Sequence, residues 1–329
     1  MSDFEKRLDD LREEARRRGR VEDPGTRAAG GPMPAVQAGP GYYGRPIVKP
    51  PVWTWEIPLY FFTGGLTGMA AAIALAAHVA GPPEAAAALV RQALWLAFLG
   101  GAVVSPILLV LDLGRPRRFL HMLRVFKWRS PMSVGAWIVA LFGGAVTTAL
   151  LLTEWGARPG APFVVDSLRT VPIVVAGLLG PALATYTGVL IGATTIPAWF
   201  THHRDLPLHF GVSGLGSAAA ALELLGFRSP ALHAIGLGAA SVEILLGAWI
   251  ELRRQGPVDD VLREGIPGGL LRGSGLLTGP TALLLRLSGA IPWAAAAFLA
   301  GAVLGRYGWL AAGRASGRDP APTLAAQRP

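Results

Sequence analysis

The chain has 329 residues, 52% of them hydrophobic and only 16% charged, with a formal net charge of +9 and no cysteine. Soluble domains carry roughly 25% charged residues, so this composition excludes an ordinary soluble globular protein. The missing thiols exclude disulfides, c-type haem attachment and cysteine-held iron–sulfur clusters.

Residues 1–52 differ in kind from the rest. MSDFEKRLDDLREEARRRGR is charged and helix-prone, and VEDPGTRAAGGPMPAVQAGPGYYGRP is rich in Pro and Gly. Such a segment buries too little apolar surface to fold alone and reads as a tail. No apolar h-region follows Met1, so no signal peptide is expected.

Runs at 57–77, 92–111, 130–153 and 170–201 contain no Asp, Glu, Lys or Arg. About 20 apolar residues cross the roughly 30 Å of bilayer hydrocarbon, and each run has that length. Further spans are expected at 206–226, 231–252, 273–289 and 290–312, where the many Gly and Pro are tolerated by membrane helices. The expected fold is an all-α integral membrane protein with eight transmembrane helices in two four-helix bundles, 53–200 and 201–312, followed by a tail at 313–329.

Of the 30 Lys and Arg, Arg91, Arg158, Arg169, Arg228 and Arg286 fall on one side of these spans. All the others lie on the side of the N-terminus. The positive-inside rule therefore places both termini in the cytoplasm, and the 313–329 tail with them.

The connection after the second span, LDLGRPRRFLHMLRVFKWRSPMSVGAW, carries Asp112 and six Lys or Arg between two apolar runs. Phe119, Met122, Leu123 and Phe126 fall at i, i+3, i+4 and i+7, one face of a helix. A short amphipathic helix in the cytoplasmic interface is expected. It serves either to fix topology against anionic lipid or as a docking surface through Arg117, Arg118, Arg124 and Lys127. Pro116 ends the preceding helix, and Asp112 with Arg115 forms a local clamp.

Histidines occur at 78, 121, 202, 203, 209 and 233, all in loops or near span ends. No two face each other as axial ligands of a transmembrane haem. Phosphate-loop, H-E-x-x-H and G-x-S-x-G motifs are absent from suitable contexts. Electrons for any redox work must come from a bound subunit.

An internal likeness is more productive. Pro58-Leu59-Tyr60-Phe61-Phe62-Thr63-Gly64-Gly65-Leu66 opens the first span, and Pro207-Leu208-His209-Phe210-Gly211-Val212-Ser213-Gly214-Leu215 opens the fifth. The second and sixth spans end alike in Asp112-Leu113-Gly114-Arg115 and Glu251-Leu252-Arg253-Arg254. Both pairs run in the same direction, so the halves read as a parallel repeat about an axis along the membrane normal. Tyr60 and His209 then sit at equal depth. Tyr186 lies about 22 Å into an inward-running span by helical rise, on the same side as Asp112, Arg115, Ser130 and Ser133. Such a cluster offers hydroxyl and imidazole donors to a quinone carbonyl and a carboxylate for its protons. Glu243 is placed well inside the hydrocarbon, where a carboxylate is costly and usually functional or paired. Glu223 is expected nearer the outer end and solvated, and Arg286 and Arg306 are expected to snorkel to opposite surfaces.

The run from Trp53 to Gly65, the D-L-G-R-P-R-R-F run from Asp112 and S-P-M-S-V-G-A-W from Ser130 resemble the polysulfide reductase membrane subunits of the NrfD/PsrC type. Tyr186-Thr187-Gly188 and Pro197-Ala198-Trp199 fit that family's fourth span, and the resemblance covers about residues 50–312. It implies eight helices in two bundles, with menaquinone or ubiquinone bound near the face where a ferredoxin-like iron–sulfur subunit docks. That subunit connects to a molybdopterin catalytic subunit, and the membrane chain holds no haem or iron–sulfur cluster of its own.

The resemblance identifies Tyr186 with the family's quinone-contacting tyrosine. Some members carry Asn and His where Ile57 and Tyr60 stand here, so a hydroxyl replaces an imidazole and His209 is expected to compensate. The expected quinone-binding residues are thus Tyr60, Tyr186, His209, Asp112 and Arg115, with Glu243 and Asp112 on a proton path. The chain would not be catalytic alone, would sit in a prokaryotic plasma membrane among lipid, and would have no nucleic-acid partner. Two other readings stay open: a passive anchor for a redox complex, which would tolerate Tyr→Phe changes, and a solute transporter.

Overall fold

In lipid a backbone must satisfy its own hydrogen bonds, and apolar stretches of this length do so as helices. The computed structural model describes residues 47–81, 83–113, 119–253 and 256–326, and every regular element among the described residues is helical. In chain order α1 is Glu56–Ala80 and α2 is Pro83–Ala97. A π-helical stretch, Phe98–Val104, continues α2 into α3, Ser105–Asp112. Then come α4 (Phe119–Met122), α5 (Pro131–Gly156), α6 (Phe163–Gly192), α7 (Pro197–Thr201), α8 (Asp205–Leu224), α9 (Pro230–Leu252) and α10 (Pro257–Asp260). A second broken rod joins α11 (Gly265–Leu276) through a π-helical Leu277–Thr281 to α12 (Ala282–Leu287). The last elements are α13 (Ile291–Arg318) and α14 (Pro320–Ala326).

Six helices among the described residues are long and apolar enough to cross a membrane: α1, the rod ending at Asp112, α5, α6, α9 and α13. Two further helical segments have spanning length without that hydropathy. α8 has 20 residues, about 30 Å at 1.5 Å per residue. The α11–α12 rod is divided by its π turn at Pro280, because proline lacks the N–H for an i→i−4 bond and the turn widens around it. α13 runs past residue 312 to Arg318, and α14 follows it.

α1 stands at the centre, and glycine puts it there. A Cβ at Gly68 would overlap the backbone of Gly180 in α6. On the neighbouring face, three residues earlier, a Cβ at Gly214 in α8 would lie 2.8 Å from the Gly65 carbonyl oxygen. Backbone contact with two helices is possible only with small residues. α8 in turn packs against α1, α6, α9 and α13, which explains its low hydropathy: protein, not lipid, surrounds it.

Three expectations are corrected here. Glu223 is buried and takes a two-pronged ion pair from Arg286, at 2.8 and 2.6 Å. Arg286 therefore does not snorkel, since lipid-depth burial of both partners is cheaper when each neutralises the other. Arg306 does not snorkel either. Its guanidinium lies 3.9 Å over the Phe210 ring and donates to the Phe210 carbonyl at 3.1 Å. Lastly, among the described residues the interfacial helix is Phe119–Met122, and the chain bends from Leu123 to Ser130. There the Ser133 hydroxyl, which accepts from the Lys127 N–H and donates to the Val125 carbonyl, holds a loop in place of a second helical turn.

Candidate functional site

The end of the molecule at which α1 begins, here the proximal end, gathers most of the polar and aromatic side chains singled out above. Trp53 stacks on Trp199 of α7 at 5.6 Å and 20°. The Trp199 indole donates to the Trp309 carbonyl of α13 at 2.7 Å, and the Tyr307 hydroxyl donates to the Trp55 carbonyl at 3.0 Å. The segment entering α1 is thereby tied to α7 and α13. Ser130 caps α5 by accepting the Ser133 N–H, which fixes where Met132 and Gly135 stand.

Between α1, α3, α4, α5 and α6 lies an apolar cavity of about 120 Å³. That is room for about four waters at the ~30 Å³ each occupies in the liquid. Tyr60, Tyr186 and Asp112 all line it, with Trp53, Phe119 and Met122 around them. Tyr60 is 1% and Tyr186 8% exposed, and neither phenolic hydroxyl makes a hydrogen bond among the described residues. Asp112 Oδ1 is buried and also without a partner. Tyr186 reaches its place because Gly135 has no side chain: a Cβ there would overlap the phenol ring. The chemistry on offer is two phenol donors and one carboxyl in an apolar recess.

His209 is not in this cavity. It sits on α8 facing a second cavity of about 660 Å³, shared with Glu243, Ser274 and Trp309. His209 Nδ1 lies 3.2 Å from Glu243 Oε2, but the alignment is not that of a hydrogen bond, and His209 Nδ1 and Glu243 Oε1 are both left unsatisfied. Beside them His202 is clamped between Asp259 at 3.0 Å and Asp205 at 3.4 Å. Trp309 puts an edge to both imidazoles, at 5.4 Å for His202 and 6.3 Å for His209.

Of the remaining expected residues, Arg115, Arg117 and Arg118 lie outside the described residues. Arg124 and Lys127 are exposed on the loop after α4. Sequence reasoning missed Gly135, whose role depends on a ring 51 positions away, and the His202 clamp, for which the run His202-His203-Arg204-Asp205 was the available signal.

Helices of spanning length and hydropathy, with a polar-tipped recess at one end of the first of them, define a multi-pass helical membrane protein. Residues 47–239 match the family described as polysulphide reductase, NrfD. The chain belongs to that family, as is consistent with a membrane subunit of a redox complex. No curated protein matches it. The first cavity lies wholly inside the matched region, whereas the second is built mostly from residues beyond it.

Proposed function

We propose that the chain is the quinone-binding membrane subunit of a prokaryotic respiratory oxidoreductase complex, exchanging electrons and protons with an iron–sulfur subunit. The observation that carries this reading is the convergence of Tyr60, Tyr186 and Asp112 on one apolar cavity, with Asp112 Oδ1 buried and unsatisfied. Buried polar groups without partners are rare in folded proteins and call for a ligand or water. Two phenols can donate to a ring carbonyl, and the Asp112 carboxyl can hold a proton at Oδ1 for the adjacent oxygen. Menaquinone or ubiquinone, when bound, supplies the two-electron, two-proton chemistry that no side chain here can perform.

The rest of the reading follows from position. α4 closes one side of the cavity with Phe119 and Met122, and α4 and the loop after it expose Leu120, Phe126 and Trp128 among Arg124 and Lys127. Arg115, Arg117 and Arg118 belong to the same stretch of chain. Exposed apolar groups among cations suit an iron–sulfur partner attached to a molybdopterin catalytic subunit, within electron-transfer reach of the recess. In this reading α8 and the α11–α12 rod also cross the membrane, giving eight spans in two bundles with a parallel repeat. Both termini and the proximal end face the cytoplasm. His209 and Glu243, at the second cavity, contribute to a proton path instead of to the quinone head in the first.

The test is turnover of the intact complex with quinol and an artificial acceptor. Tyr60→Phe and Tyr186→Phe are each expected to lower it about tenfold, the rate equivalent of one lost hydrogen bond of about 1.4 kcal/mol, with subunit composition unchanged. Unaltered turnover in both variants would leave only a passive anchor.

A further inference from the structure

The second cavity repeats the placing of the first. Each takes the fifth residue of a helix opening with Pro-Leu-x-Phe after its first turn, Tyr60 in α1 and His209 in α8. The end of the following rod contributes next, Asp112 to one and Glu251 to the other, and then the connecting segment. The next helix adds Gly135 to one cavity and Ser274 to the other, and the fourth adds Tyr186 and Trp309. The second cavity is several times larger.

Its polar content differs in a way that selects a ligand. Arg263 is paired with Glu251 at 2.8 Å and Asp259 with His202 at 3.0 Å. The charges around the cavity are thus largely balanced within the protein and favour a neutral occupant. Glu243, with a side chain only 3% exposed, leaves Oε1 unsatisfied, and His209 leaves Nδ1 unsatisfied. A carboxyl and an imidazole in such a setting need a carbonyl or hydroxyl from outside the protein.

The way in is also visible. α9 and α11 barely touch, and where they diverge the cavity is edged by Gly247 and Gly275, both exposed. A Cβ on either would meet nothing within 4 Å. Gly247 lies five residues before the end of α9, about 7.5 Å by helical rise, so the gap opens sideways within the apolar part of the helix. A ligand using it is lipid-soluble.

We propose that this cavity is a second binding site for a neutral, lipid-soluble ring compound of the quinone class, entering between α9 and α11 and held by His209 and Glu243. The ligand class rests on the reading of the first cavity given above; the existence of the site rests on the second cavity alone.

The test is photolabelling of the purified complex with a short-chain azido-quinone, followed by peptide mapping and titration. Two probe molecules per chain are expected, one labelling peptides of α1, α5 and α6 and the other peptides of α8, α9 and α11. Gly247→Phe combined with Gly275→Phe fills open space, so folding is undisturbed; it should cut second-site labelling at least tenfold and leave the first unchanged. Label confined to the first site in the unaltered protein, as would follow if phospholipid alone filled the second cavity, overturns this proposal and spares the first-site reading. Label at neither overturns both. Second-site label that survives the double substitution overturns the placement between α9 and α11.

Discussion

Gly135 has no side chain, and the Tyr186 phenol occupies the space that one would fill. Gly135→Ala should therefore displace Tyr186 within the cavity that both residues line. We expect quinol turnover to fall at least as far as in Tyr186→Phe, while Gly144→Ala, on the same helix with nothing near its Cβ, leaves turnover unchanged. The Glu223–Arg286 pair gives a second prediction at this scale. Arg286→Leu strands a buried carboxylate and should cost about 3–5 kcal/mol, whereas removing both charges by Glu223→Leu with Arg286→Leu should restore most of it. Thermal unfolding in detergent distinguishes the two. Tyr60, Tyr186 and Asp112 were legible in the sequence because helical rise and span direction set their depth. His209 shares that depth, yet it joins Glu243 at another cavity, since depth carries no information about which face of the bundle a helix presents. Arg286 and Arg306 were misread for a related reason: their partners, Glu223 and Phe210, are 63 and 96 positions away.

At the scale of elements, hydropathy alone does not decide whether a helix crosses. The rod ending at Asp112 is the most apolar candidate and among the least buried, while α1 is less apolar and mostly enclosed. α8 carries this further, with Gly, Ser and Ala on faces turned to α1, α6, α9 and α13. Its boundaries were nevertheless legible, because Asp205 and Pro207 open it and Gly226 with positive φ follows its end. The interfacial helix was overread, since its apolar spacing counted residues that a loop now presents. Packing of α1 against α6 depends on backbone contact, so Gly68→Leu should force the two apart and cost about 1–3 kcal/mol as an overpacked core does. The check is a lowered unfolding midpoint, with Gly269→Leu, whose Cβ has open space, as the matched control.

For the whole molecule the question is whether eight segments cross or six, and parity cannot answer it, since both numbers leave the termini on one side. The decision falls on α8 and on the α11–α12 rod. The chain contains no cysteine, so single cysteines can be introduced without removing any. Arg204 and Arg228 are exposed at the two ends of α8, and Glu264 and Ser288 flank the rod. With eight crossings, Arg204→Cys and Glu264→Cys react with a membrane-impermeant maleimide only in inside-out vesicles, and Arg228→Cys and Ser288→Cys only in right-side-out ones. Ala321→Cys should follow the first pair and Phe163→Cys the second, which fixes the absolute orientation as well. Three of the five arginines assigned to outer loops, Arg91, Arg169 and Arg286, prove to be helical and paired with Glu154, Asp166 and Glu223. If Arg204→Cys and Arg228→Cys, or Glu264→Cys and Ser288→Cys, reacted from the same side, the segment between them would be re-entrant, the parallel repeat would fail, and the likeness between the two cavities would lose its structural basis.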